Sequence, residues 1–196
     1  YLSLRGRMLG VDDLRYFDIY PPLVEVDTGE FDLARSAAIT FEALKPFGED
    51  YLALLKQGLD GEWMHSHPAQ GKRSGAYMNG SIYDVHPFVL LNHNDDYESL
   101  STFAHEWGHA VHSLLAQKQN PYETASYSTF TAEMASTINE ILLQEYMIEN
   151  ARSDEEKLLY LGGALENIRG TLFRQTMFAE FELAMHEAVE AGEPLT

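Results

Sequence analysis

Cysteine, basic charge and long apolar segments are scarce or absent in this 196-residue chain. With no cysteine, the chain forms no disulfide, and any metal site has to use histidine and carboxylate ligands. Lysine and arginine number 13 against 31 aspartates and glutamates, so the net charge of −18 argues against binding to nucleic acid or to an anionic membrane surface. No apolar run reaches the roughly 18 residues of a membrane span, and no signal peptide is visible, so we expect no membrane partner and a cytoplasmic location.

The length and composition suit one folded domain. A hydrophobic fraction of 45% is ordinary for a globular chain and is ample for a core. We therefore expect residues 1–196 to belong to a single domain. Because the chain starts with Tyr1 instead of Met, we expect the native N-terminus, and any signal that it carried, to lie outside this sequence.

Residues 103–112 contain the motif His-Glu-x-x-His. Apolar residues recur there at helical spacing after a polar start near Asp96, which predicts a helix. Residues four apart lie one turn above each other on a helix, so His105 and His109 present two imidazoles on one face. Two such histidines suit one tetrahedral zinc ion, and Glu106 lies beside them, where it can take a proton from the zinc-activated water. The motif predicts one zinc ion per chain.

A third ligand decides which kind of zinc site this is. A metzincin has Gly and His three and six residues after the second histidine of the motif, whereas this chain has His112 and Leu115 there, so that class is excluded. A carboxylate on a following helix is the next choice. The downstream candidates are Glu123, Glu133, Glu140 and Glu145. Glu123 lies in a proline turn that is too close to the end of the first helix to fold back onto it.

Residues 130–140 have helical character and hold two of these glutamates. Glu133 and Glu140 are seven residues apart, two turns along one helix face. Glutamates at this spacing more often form a solvated stripe, but here most of their neighbours are apolar, and a buried glutamate requires a partner. Zinc with its histidines would be such a partner. One glutamate can then bind the metal while the other hydrogen-bonds a ligating histidine.

Two longer stretches resemble the M3 family of zinc oligopeptidases. They are His-Glu-Trp-Gly-His-Ala-Val-His at 105–112 and Phe-Thr-Ala-Glu-Met-Ala-Ser-Thr-Ile-Asn-Glu at 130–140. Upstream, Gly-Lys-Arg-Ser-Gly-Ala-Tyr at 71–77 and Tyr-Asp-Val-His-Pro-Phe-Val-Leu-Leu-Asn at 83–92 resemble its oligoendopeptidase F branch. The resemblance covers nearly the whole chain, and the combination is far more specific than the zinc motif alone.

The resemblance implies a zinc-dependent endopeptidase that hydrolyses internal bonds of short oligopeptides. It implies His105, His109 and Glu133 as zinc ligands and Glu106 as the general base. It also implies that Glu140 is a carboxylate that does not bind the zinc ion itself but hydrogen-bonds one of its ligands. The expected fold is mainly α and zincin-like, with a small antiparallel β-sheet beside the active-site helix.

The rest of the pattern agrees with a mainly α chain. Besides the helix that carries the motif, helices are predicted at residues 3–18, 31–45, 46–56, 130–150 and 154–191, and a short strand at 23–27. Residues 154–191 form one long helix or two, and Gly162-Gly163 and Gly170 are expected to kink this segment. The basic pair Lys72-Arg73 is expected to lie in a solvated loop.

A β-hairpin is predicted just before the helix with the motif. Residues 74–77 and 85–92 have strand character on either side of an Asn-Gly pair. Pro87 within the second run marks that end as an edge strand or a strand start. An edge strand there would leave backbone groups free to pair with an extended peptide. Because this region lines the cleft in the family, the resemblance makes Gly75, Ala76 and Tyr77 candidate substrate-binding residues.

One catalytic element is missing from the pattern. A zinc peptidase needs a group besides the metal to stabilise the oxyanion. In the family a Tyr/His group well after the third ligand has this task, but here Tyr146 and Tyr160 lie in ordinary helical patterns and His186 is isolated. The family's chains are also longer, so we expect this chain to be a catalytic fragment and the rest of the full-length chain to complete the cleft.

Two alternatives stay open at this point. A zinc peptidyl-dipeptidase would share the ligand pattern and differ only in its contacts to the substrate terminus. A non-catalytic helical module would carry a structural zinc ion or none. Structural zinc sites usually have four protein ligands, so three ligands together with Glu106 favour an enzyme.

Overall fold

The computed structural model describes residues 1–21 and 23–195. Its contacts divide the chain into two compact units. We call Thr28–Asn150 the central unit, and Tyr1–Asp27 with Ala151–Thr196 the terminal unit. The single-domain assignment stays a prediction. None of the helices in the described residues is long and apolar enough to span a membrane.

The structure is mainly α-helical, as predicted. The helices are α1 (Leu2–Leu9), α2 (Leu33–Ala43), α3 (Glu49–Asp60), α4 (Tyr97–Gln119), α5 (Thr129–Glu149), α6 (Asp154–Ile168) and α7 (Arg174–Glu190). Short 3₁₀ turns cover Tyr16–Ile19, Lys45–Phe47 and Tyr122–Thr124, and a π-helical turn covers Arg169–Phe173. The strands are β1 (Met64–His65), β2 (Tyr77–Asn79) and β3 (Phe88–Leu90).

The central unit holds a three-stranded sheet in the order β1-β3-β2. Strands β2 and β3 pair antiparallel, as predicted, whereas β1 pairs parallel to β3, so the sheet is mixed instead of purely antiparallel. Strand β1 has only two residues, too few for an alternation signal in the sequence. Asn79 pairs with Phe88, so the Asn-Gly pair begins a longer connection and does not form a two-residue turn.

Helix α4 lies at the centre of the apolar core of this unit. Its buried side chains include Phe103, Trp107 and Val111, which pack in one cluster with residues of α3 and β3. A Cβ atom added to Gly58 of α3 would lie 2.3 Å from the Trp107 ring, so α3 packs directly on this indole. The burial of one face of α4 leaves its opposite face for polar residues.

Lys72 is an exception to the predicted solvated loop. Its ammonium group donates to the carbonyl oxygens of His65 at 3.0 Å, of His67 at 2.7 Å, and of Leu91. Burial lowers the pKa of Lys72. These contacts tie the loop after β1 to the end of the sheet. The sequence identified the basic pair but not the three carbonyl groups to which Lys72 donates.

The terminal unit departs from the prediction in three places. Helix α1 ends at Leu9, because Gly10 adopts a left-handed conformation with φ of 69°, and a separate 3₁₀ turn follows instead of a continuous helix to residue 18. Residues 23–27 form no strand. The kink predicted at Gly170 corresponds to the π-helical turn between α6 and α7, whereas the one predicted at Gly162-Gly163 is wrong, because these glycines lie inside α6.

Candidate metal centre

Helix α4 places the three motif residues on one side of the core. Its N-cap is Asp96, whose carboxylate accepts a hydrogen bond from the backbone N–H of Ser99 at 2.8 Å. His105 and His109 lie one turn apart, with ring centroids 4.7 Å from each other. The cap and the buried apolar face of α4 together fix the direction in which these histidines point.

Helix α5 approaches α4 closely where the motif has glycine. A Cβ atom on Gly108 would lie 2.8 Å from Nδ2 of Asn139 and 3.0 Å from Cα of Ser136. Asn139 is itself held in place, because it accepts a hydrogen bond from the hydroxyl of Tyr51 on α3 at 3.0 Å. The absence of a side chain at position 108 thus allows α5 to bring Glu133 next to the two histidines.

Three ligand atoms converge in the space between α4 and α5. The Nε2 atoms of His105 and His109 are 3.1 Å apart. Oε2 of Glu133 lies 3.5 Å from the first and 3.7 Å from the second. Ligand atoms around a tetrahedral metal with bonds of about 2.0–2.1 Å are separated by about 3.3–3.4 Å. The spacing therefore fits one small metal ion, and among the described residues these three form the group that could hold it.

The two histidines are oriented by α5. Nδ1 of His105 hydrogen-bonds Oε1 of Glu140, and the backbone of Ala132 hydrogen-bonds His109. Burial lowers the pKa of His105, but the hydrogen bond and charge of Glu140 outweigh it, so the pKa is raised. Burial and the neighbouring His105 lower the pKa of His109. The hydrogen bonds to Glu140 and Ala132 hold both rings with Nε2 directed at the space between the three ligand atoms.

Glu106 lies beside these ligand atoms, and most of its side chain is shielded from solvent. Its side chain is buried, and its Oε2 has no hydrogen-bond partner among the described residues. Desolvation raises the pKa of Glu106 to about 7, against the opposing charge of His105. The charge of Glu133 adds to the increase, and a backbone hydrogen bond from Met78 reduces it. A carboxyl group with a pKa near neutrality can both accept and donate a proton.

A cleft of about 910 Å³ opens over the motif residues. His105, Glu106, His109 and Glu133 line one part of it, and β2 lines another. The side chains from the loop after α4 complete the wall: Tyr122, Glu123, Ala125, Ser126 and Tyr127. The cleft therefore brings the four polar residues of the candidate centre together with the edge of the sheet.

The free edge of β2 faces this cleft with its backbone. The N–H of Val89 donates to the carbonyl of Trp63, the residue before β1, so its partner Met78 occupies a non-hydrogen-bonded position opposite β3. The N–H and C=O of Met78 consequently point away from β3. The hydrogen bond between the Met78 backbone and Glu106 agrees with this direction. The sequence predicted that Pro87 marks an edge strand or a strand start. Strand β3 does begin directly after Pro87, but the edge assignment is wrong, because β3 is the central strand and β2 is the edge beside the cleft.

The candidate substrate-binding residues fall in two neighbouring cavities. Tyr77 lines the cleft, and Ala76 lines both the cleft and a second cavity of about 520 Å³. Gly75 lines the second cavity, with φ of 85°. The predicted set of three therefore spans the boundary between the cavities.

The remaining histidines near the site have other contacts. His112 packs its ring on Tyr127 with centroids 4.3 Å apart and is not one of the three residues in the ligand group. His86 stacks on Trp63, also as a packed side chain. Sequence reasoning missed Tyr127, whose hydroxyl contacts Ser113, because no motif or spacing marks it.

A His-Glu-x-x-His helix, packed on a second helix that adds a glutamate and set beside a strand edge, defines the zincin class of peptidase sites. Comparison with known families agrees with this class. The sequence model of Peptidase family M3 matches residues 20–196, and this chain belongs to that family.

Two curated relatives match this chain over its whole length. The chain is 41% identical over its full length to oligopeptidase PepF of Bacillus subtilis, of which it covers 29%. It is 41% identical to group B oligopeptidase PepB of Streptococcus agalactiae, of which it covers 32%. The chain thus spans about a third of the length of the curated relatives it matches.

Solved structures share the fold. A protein from Chlamydophila abortus matches the whole chain at 41% identity with a TM-score of 0.81, and 33% of that protein is covered. Oligoendopeptidase-F from Enterococcus faecium matches at 33% identity with a TM-score of 0.58, and 26% of it is covered. The mainly α fold is therefore that of M3 peptidases.

Proposed function

We propose that this chain carries the catalytic centre of a zinc-dependent endopeptidase that hydrolyses internal bonds of oligopeptides. The observation that carries the proposal is the convergence of three ligand atoms at 3.1–3.7 Å beside the buried carboxyl of Glu106. Relatives named as oligopeptidases support the same substrate class. The cytoplasmic location stays a prediction.

His105, His109 and Glu133 would hold the zinc ion. Two imidazoles and one carboxylate are a ligand set of catalytic zinc sites, in which the fourth position is left for water or substrate. When bound, zinc acts as a Lewis acid that increases the acidity of water and polarises a peptide carbonyl. Glu140 and the backbone of Ala132 hold the imidazoles in the orientation that this role requires.

Glu106 would move the proton. In this proposal its carboxylate accepts a proton from the attacking water and then donates that proton to the amine that leaves. A pKa of about 7 suits both steps, because the carboxylate is a stronger base than an exposed glutamate and its acid form is accessible near neutral pH.

The edge of β2 would align the substrate. An extended peptide whose N–H donates to the outward C=O of Met78 would lie across the cleft next to Glu106, which accepts the N–H of Met78. Pairing through backbone groups does not depend on the side chains of the peptide, so β2 would position substrates of varied sequence. Ala76 and Tyr77 directly precede Met78 and also line the cleft, so they would contact the neighbouring substrate residues.

The rest of the longer chain would complete the cleft. The chain covers only 29% of its Bacillus relative. Neither Tyr146 nor Tyr160 lines the cleft, and His186 lies on α7 of the terminal unit. That groups in the rest of the longer chain stabilise the oxyanion stays a prediction.

Metal content and cleavage products test the proposal together. The full-length protein should bind about one zinc ion per chain, measured by elemental analysis, and cut a labelled oligopeptide at internal bonds, measured by mass spectrometry. Glu133→Ala should lower zinc affinity at least about 100-fold, because a ligand contributes more than the groups that merely orient it.

Glu145→Ala is the matched control, since Glu145 is exposed on the same helix and lies outside the ligand group. Release of dipeptides alone would support a peptidyl-dipeptidase instead. Bound zinc without any cleavage of oligopeptides would support the non-catalytic module.

A further inference from the structure

Each of the three proposed ligands contacts a second group on α5. His105 contacts the Glu140 carboxylate, and His109 contacts the backbone of Ala132. Glu133 is itself on α5, and its partner is Ser136, one turn further along. The sequence resemblance implies a role for Glu140 but none for this serine.

The hydroxyl of Ser136 contacts the oxygen of Glu133 that faces the histidines. It lies 3.1 Å from the Glu133 backbone carbonyl and 3.1 Å from Oε2. The same Oε2 atom lies 3.5 Å from Nε2 of His105 and 3.7 Å from Nε2 of His109. The single hydroxyl proton of Ser136 thus lies within reach of both the Glu133 carbonyl and the Oε2 atom that would bind the metal.

The two side chains differ greatly in freedom. Ser136 is fully buried, and its Cα would lie only 3.0 Å from a Cβ atom on Gly108 of α4. The Glu133 side chain is 53% exposed. A half-exposed glutamate has several accessible rotamers, and a donor fixed by close helix packing selects those that keep Oε2 near the histidines.

We infer that Ser136 is a positioning residue for the metal ligand Glu133, which its hydroxyl holds in the ligating conformation. This inference rests on the proposed function, because it requires Glu133 to bind the metal. Loss of a group that orients a ligand typically lowers metal affinity by about 10- to 100-fold. We expect an effect of this size for Ser136→Ala.

Ser36 provides a matched control for the loss of a buried hydroxyl. It is also fully buried, and its hydroxyl donates to a backbone carbonyl, that of Phe31 at 3.0 Å. It contacts no residue of the candidate centre. Ser36→Ala therefore removes a buried helix hydroxyl without touching the ligand set.

The test uses the full-length protein in four forms: wild type, Ser136→Ala, Ser36→Ala and Glu133→Ala. Zinc affinity is measured by competition with a chromogenic chelator, and the metal environment by the visible absorption of the cobalt(II)-substituted protein. We expect Ser136→Ala to lose 10- to 100-fold in zinc affinity and to shift the cobalt spectrum. Ser36→Ala should change neither, while both metal-free serine variants melt within a few degrees of each other.

The outcomes separate the inference from the function beneath it. Wild-type zinc affinity and cobalt spectrum in Ser136→Ala, with weak binding in Glu133→Ala, would overturn the positioning role alone. Wild-type affinity in Glu133→Ala as well would show that Glu133 is no ligand, and the proposed centre would fail with it. Equal losses in the two serine variants would assign the effect to general stability and would also overturn the inference.

Discussion

Two buried glutamates, one in each unit, have opposite environments. Glu106 of the central unit is 6% exposed and Glu156 of the terminal unit is 4% exposed. Glu156 accepts hydrogen bonds from the Arg152 side chain at 3.0 Å and from the Tyr160 hydroxyl at 2.9 Å, and the Arg152 contact contributes most to lowering its pKa to about 2. Glu106 has an unpartnered oxygen and a pKa raised to about 7 by desolvation. Two carboxylates of similar burial therefore differ in pKa because one has an arginine and a tyrosine as partners and the other has an unpartnered oxygen.

The same contrast holds for other buried charges. Arg5 of the terminal unit is 2% exposed, and its guanidinium donates to the carbonyl of Asp18 at 2.8 Å and to Glu166 at 3.1 Å. Its partners satisfy the group, as a structural charge requires. In the central unit His105, His109 and Glu133 instead bring three ligand atoms to within 3.7 Å of one another. The buried arginine is matched by fixed partners within its own unit, whereas this group has the spacing that fits a metal ion.

Substitution of Glu106 should give the largest effect. Glu106→Gln keeps the shape of the side chain but removes the base, so turnover of an oligopeptide should fall by about 10²- to 10⁴-fold in the full-length protein. Zinc content should stay at the wild-type level, because Glu106 is not one of the three ligand-group residues. A steady-state assay with parallel metal analysis measures both. Turnover close to wild type would remove Glu106 from the proposed role.

Substitution of Glu156 should change stability and not the metal site. Glu156→Gln weakens the contacts to Arg152 and Tyr160, and we expect the free energy of unfolding at pH 7 to fall by about 2–3 kcal/mol. Urea unfolding followed by circular dichroism measures this loss. Zinc affinity should not change, because Glu156 and the ligand group belong to different units.

The pH dependence of this loss has a definite sign. The folded pKa of Glu156, about 2, lies below its ordinary value of 4.5, so its stabilisation is present above about pH 5 and is lost as the pH falls toward 2. The difference between wild type and Glu156→Gln should therefore shrink between about pH 5 and pH 2. A difference that stays constant over this range would contradict the contacts assigned to Glu156.

The sequence predicted the centre better than its surroundings. The spacing in the motif places His105, Glu106 and His109 together on any helix, and the structure puts Glu133 of a second helix beside them. The approach of α5 depends on Gly108, whose lack of a side chain permits the close contact with Ser136 and Asn139. The His105–Glu140 contact follows from the two-turn spacing of Glu133 and Glu140.

The parts that sequence reasoning missed depend on partners that are distant in the chain. Lys72 binds three carbonyl groups that meet only after the sheet has formed. The parallel pairing of β1, which has two residues, leaves no periodic signal. Ser136 is recognisable only once the rotamer of Glu133 is known, because serine at this helix position has the same local appearance whether or not it contacts a ligand.

Two glycine substitutions should give the smallest effects, of opposite sign. In Gly108→Ala the new Cβ atom would lie 2.8 Å from Asn139 and 3.0 Å from the Ser136 backbone, so α4 and α5 must separate, at a cost of about 1–2 kcal/mol. In Gly162→Ala, within α6, the described residues leave the space around the new atom open, so the higher helix propensity of alanine should stabilise the protein by about 0.5–1 kcal/mol. Urea unfolding measures both changes.

Only Gly108→Ala should also weaken zinc binding, because it moves Glu133 away from the histidines. Unchanged zinc affinity in Gly108→Ala would show that the helix contact does not set the ligand geometry.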